Sequence, residues 1–63
     1  MNLNLAQLIA LTFNTKDYIL CDRHGFPLAI YHHANEIAPC FADHRVLLIV
    51  WRDDGLCINL DLD

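Results

Sequence analysis

Two apolar runs, Val46 to Trp51 and Leu56 to Leu62, flank the polar interruption Arg52-Asp53-Asp54-Gly55 near the end of the chain. An Asp-Gly pair between apolar runs is a strong hairpin signal, because a two-residue turn needs positive φ at both central positions and these residue types tolerate it. The pattern predicts a β-hairpin over Arg45–Asp63 with Asp54 and Gly55 as the turn. Counting outward, Asp53 faces Leu56, Arg52 faces Cys57, Trp51 faces Ile58, Ile49 faces Leu60 and Leu47 faces Leu62. Period-two alternation then puts Leu47, Ile49, Trp51, Leu56, Ile58, Leu60 and Leu62 on one wholly apolar face. The other face carries Val46, Leu48 and Val50 opposite Asp63, Asp61 and Asn59, half apolar and half acidic. A one-residue slip would bring the leucines to the acidic side, so turn chemistry and alternation support the same register. Trp51 is a core residue in it.

The first fifteen residues carry no charge, and their Leu, Ala and Gln content favours helix. Asn4 with Gln7 has the form of a capping box, and Asn14 suits a left-handed stop, so a helix is expected over about Leu5 to Phe13. The competing strand rests on Leu3, Leu5, Ile9, Leu11 and Phe13 sharing one parity, interrupted by Gln7. Such a helix is apolar around most of its circumference and suits the cover of a sheet face.

Tyr18 to Tyr31 predicts a second hairpin turning at His24-Gly25, with Tyr18 facing Tyr31, Ile19 facing Ile30 and Cys21 facing Leu28. A three-residue loop that shifts this by one is the alternative. Both faces are largely apolar. Pro27 cannot donate to a ladder and belongs on the side of its strand away from a neighbour. Between the hairpins, HHANEIAPCFADH offers Asn35 as an N-cap and Glu36 in a first turn, giving a short helix from about Glu36 to Asp43. The fold class expected is α+β: a small antiparallel sheet of two β-hairpins, an N-terminal helix on one face and a short linking helix, all in a single domain over residues 1–63.

Composition changes this picture in one respect. With 63 residues the interior is small, yet 56% of the chain is hydrophobic and 19% charged, which leaves apolar surface outside for a partner or a second copy. Charge is also uneven. Residues 1 to 52 hold four acids (Asp17, Asp22, Glu36, Asp43) and four bases (Lys16, Arg23, Arg45, Arg52), so the net −4 comes from Asp53, Asp54, Asp61 and Asp63. No basic patch gathers phosphates, which argues against direct nucleic-acid binding and against an anionic membrane, and leaves a basic partner protein open.

Candidate chemistry is sparse. Cys21, Cys40 and Cys57 show no C-x-x-C spacing, and an odd count without a secretory leader points to a reducing, cytoplasmic setting. No stretch is long enough to span a bilayer. Cys40 and His44, four apart, with His32 or His33, form the one conceivable zinc or thiol set. Free Cys as a small hydrophobe and His at strand ends explain them without a metal. Gly25 and Gly55 are both accounted for as turn residues, leaving no glycine-rich phosphate or oxyanion loop. The expectation is therefore no catalytic residue, no cofactor and no metal.

The acidic last strand has two explanations. Asp61 and Asp63, about 6.5–7 Å apart on one side of a strand, suit Arg or Lys on a partner; equally, they keep a strand from pairing with other sheets and keep an apolar protein soluble. The preferred function is a non-enzymatic interaction protein that occupies a basic surface of a larger partner. Its expected contact set is Val46, Leu48, Val50, Asn59, Asp61 and Asp63, with the turn acids Asp53 and Asp54. In size, acidity and lack of catalytic motif the chain resembles the small inhibitors that phages and mobile elements make against host defence, anti-CRISPR proteins in particular. That resemblance implies blocking of a nucleic-acid-binding surface on a CRISPR effector and assigns no residue a role. The alternatives are a self-assembling structural or regulatory module, as a homodimer, and a small zinc or thiol protein.

Overall fold

The computed structural model describes residues 3–12 and 17–62. Helix α1 (Leu5–Ala10) is followed by strands β1 (Tyr18–Cys21) and β2 (Pro27–Tyr31), two 3₁₀ turns at Ala34–Glu36 and Pro39–Phe41, and strands β3 (Val46–Arg52) and β4 (Gly55–Leu60). The α+β class is as the sequence predicts. The four strands form one sheet in the order β2-β1-β4-β3. Both hairpins are antiparallel, but β1 and β4 join them in parallel, so the sheet is mixed rather than antiparallel. The last strand is central, not an edge.

Helix α1 starts where its capping box predicts. Asn4 Oδ1 accepts the Gln7 N–H at 2.8 Å, and Gln7 Oε1 accepts the Asn4 N–H at 2.9 Å. It ends earlier than expected, with Leu11 as C-cap; Phe13 and Asn14 lie outside the described residues. The linking helix over Glu36–Asp43 is replaced by the two 3₁₀ turns. Ala38, just before Pro39, is extended at ψ 134, because the proline ring disfavours helical geometry in the residue preceding it, and Ile37, the C-cap of the first turn, is extended at ψ 127. Pro39 opens the second turn, where its missing N–H costs nothing. Asn35 lies inside the first turn, with His33 at the N-cap. Glu36 Oε1 accepts the His32 and His33 N–H groups at 3.2 and 2.8 Å.

In the first hairpin Tyr18 pairs with Tyr31 and Ile19 with Ile30, as read from the sequence, but Cys21 pairs with Pro27 across a bulge. The loop is the three-residue alternative. Asp22 N–H donates to Phe26 O, and the Asp22 carboxylate accepts the His24 and Phe26 N–H groups at 2.9 and 3.0 Å. Gly25, at φ 89, closes it in the left-handed region.

The second hairpin turns one residue earlier than Asp54-Gly55. Arg52 pairs with Gly55, Trp51 with Leu56, Val50 with Cys57 and Ile49 with Ile58, so the turn residues are Asp53 and Asp54. Each pair moves by two positions, and from Leu48 onward every residue keeps its expected face. A bulge between Val46 and Leu48 breaks the alternation and turns Val46 toward Leu60 and the core. There Leu5 and Leu8 of α1 pack against Tyr18, Leu20, Val46, Leu56, Ile58 and Leu60, all buried. The apolar face expected of the hairpin is thus buried along β4 but not along β3. Trp51 is 65% exposed and Leu47 41%. A six-residue helix is too short to cover the far end of an edge strand.

Candidate functional site: an open sheet face

Because α1 covers one side of the sheet, the other side remains to be accounted for. Ile19 and Ile30 pair on it across β1 and β2, and Leu48 and Val50 lie on it opposite Asn59 and Cys57. Ile30, Leu48 and Val50 are 59%, 52% and 43% exposed, and Leu28, the extra residue at the β2 bulge, is exposed too. Leu48 and Val50 rim a shallow groove with Pro27 on the opposite wall and Ile19, Cys21 and Cys57 on its floor. Arg52 bounds one corner, its guanidinium donating to the Cys57 thiol at 3.6 Å. This hydrogen bond and the adjoining thiol raise the Arg52 pKa, so the group stays a cation. Burial, then the neighbouring Cys57, pushes the Cys21 thiol above its ordinary pKa, which keeps it a poor nucleophile.

Of the residues expected to bind a partner, Leu48, Val50 and Asn59 fall on this open face, and Asp53 and Asp54 are exposed in the turn at its end. Val46 does not join them, because the bulge buries it to 1% exposure under α1. Asp61 lies just beyond β4 and is occupied within the molecule. Its two carboxylate oxygens accept from the guanidinium groups of Arg23 at 2.8 Å and Arg45 at 3.0 Å. Asp63 lies outside the described residues. The acidic stripe is therefore not a free surface at Asp61; the exposed acid pair sits in the turn.

Cys40 is exposed, and among the described residues no three His, Cys, Asp or Glu side chains are grouped to hold a metal. His32 Nδ1 instead lies 2.8 Å from Asp17 Oδ1. That hydrogen bond and the aspartate charge hold the imidazole pKa above its ordinary value. No helix among the described residues is long and apolar enough to cross a membrane.

Leu28 and Ile30 were not in the expected contact set. The signal for them was the first hairpin being apolar on both faces while one helix was available to cover only one. No protein-family model, curated protein or solved structure matches the chain.

Proposed function

We propose that this chain is a non-catalytic interaction protein that docks on a larger protein through the open sheet face. The observation that carries it is the exposure of Ile30, Leu48 and Val50 together on the side of the sheet opposite α1. Contiguous apolar surface of this kind on a small domain marks a contact site. The partner's surface is apolar where it meets Leu48 and Val50 and basic where it meets Asp53 and Asp54, two acids beside the single cation Arg52 among the described residues of the hairpin end. Blocking of a basic, nucleic-acid-binding surface, as by an anti-CRISPR-type inhibitor, is the form of this proposal that those two aspartates support. Asp61, already paired with two arginines, adds little to it. The free thiols Cys21, Cys40 and Cys57 support a reducing compartment, and a cytoplasmic setting is proposed on that ground.

The test is capture from host lysate followed by reconstitution of the complex from purified components. The partner should bind the native chain, lose at least tenfold in affinity with Leu48→Lys or Ile30→Lys, and lose less with Asp53→Lys plus Asp54→Lys. A partner bound equally well by the Leu48→Lys and Ile30→Lys chains would overturn the proposal.

A further inference from the structure

A different surface points to self-association. The outer edge of β3 is a seven-residue apolar strand, VLLIVWR, with no proline and no charge before its last residue. The opposite edge, β2, opens with Pro27, which has no N–H to offer. Natural sheets blunt a long, flat, apolar edge because its unpaired backbone groups recruit another strand.

The hydrogen-bond pattern shows which groups are on offer. Arg52 and Gly55 close the two-residue turn, and Leu56 N–H donates at 2.8 Å to Asp17 O, on the β1 side. Alternate residues of an antiparallel pair bond inward, so Ile49 and Trp51, opposite Ile58 and Leu56, direct their N–H and C=O groups to the outer edge. No neighbour among the described residues takes them. At the other end the edge is closed, since Val46 N–H donates to Leu3 O at 2.7 Å.

We infer that the occupant of this edge is β3 of a second copy, paired antiparallel about a twofold axis. The outward groups must meet one another, and Leu3 blocks Val46. The register that satisfies both sets Val50 on the axis and Ile49 of each copy opposite Trp51 of the other. Leu48 then faces Arg52, and no like charges face each other. Asp53 comes level with Leu47 of the second copy, two positions from its Arg45. A long side chain spans that diagonal, and the Arg45 side chain, 56% exposed, has guanidinium donors beyond the one it gives to Asp61. Four backbone hydrogen bonds and two Ile49–Trp51 pairs hold the two copies together, and the two open faces become one continuous surface. Such an interface is at the small end of specific ones, so the dimer is weak and reversible.

Sedimentation equilibrium of the full chain from about 10 μM to 1 mM tests this. The mass should rise toward twice that of the monomer, and Trp51→Lys should raise the dissociation constant at least tenfold with the circular dichroism spectrum unchanged. Ile49→Pro, which removes an outward N–H along with a side chain packed against the core, should act likewise, with the circular dichroism spectrum again checking that the fold is kept. Ile30→Lys, on the open face but on the far edge strand β2, should change the dissociation constant less than threefold. A native chain that stays monomeric at 1 mM overturns the inference. So does a dimer that Ile30→Lys abolishes and Trp51→Lys leaves intact, which would instead place the open faces against each other.

Discussion

Gly55 shows how a single residue can be legible by type and misplaced by role. Asp-Gly marks a turn, yet Gly55 is the first residue of β4, buried beneath the entry to β1. A Cβ there would stand 2.6 Å from Asp17 O and 3.0 Å from Asp17 Cβ. Gly55→Ala should cost about 1–3 kcal/mol through forced displacement of Asp17, read as a lower urea midpoint. Asp61→Asn should cost less than about 1 kcal/mol, because partly exposed ion pairs are screened and entropically opposed. His32 gives a pH signature. Its raised pKa means that pairing with Asp17 stabilises the fold while the imidazole is protonated, and the contribution disappears as pH rises through the raised value. The midpoint difference between native chain and His32→Gln should therefore be present below about pH 6.5 and fade above it; a difference that grew with pH would contradict the pairing.

Elements with purely local determinants were readable. The capping box places the start of α1 to the residue, and Asn4→Ala should cost about 1 kcal/mol, measurable as loss of thermal midpoint. The first hairpin was readable from Tyr18 to Ile19 on one strand and Ile30 to Tyr31 on the other, where alternation and turn agree. The linking helix failed because Pro39 constrains the residues before it more strongly than the Asn35-Glu36 signal favours helix. The β3 bulge had no sequence mark: Val46, Leu47 and Leu48 are all apolar, so nothing in the pattern says which two share a side. That one irregularity moved Val46 from the candidate contact set to the core.

At the scale of the whole molecule, eight side chains among the described residues make up the buried cluster, and a domain of this length has about 3–9 kcal/mol of total stability. Ile58→Ala, at 0% exposure, should cost about 2–5 kcal/mol and leave much of the chain unfolded at 37 °C, visible as lost amide dispersion by NMR. Part of the candidate site was legible. Alternation places Leu48, Val50 and Asn59, and the charged turn places Asp53 and Asp54, whereas Ile30 and Leu28 belong to a hairpin whose position beside β4 no local pattern encodes. The α+β class, the helix cap, the two hairpins and the surplus of apolar surface are legible in the chain alone, because each follows from contacts a few residues apart or from composition. The assembled fold adds that β1 pairs parallel to β4, that the last strand is central, that Asp61 is taken up between Arg23 and Arg45, and that one sheet face lies open. Those depend on which distant strands meet, and pairing across 38 residues leaves no periodic trace in either partner.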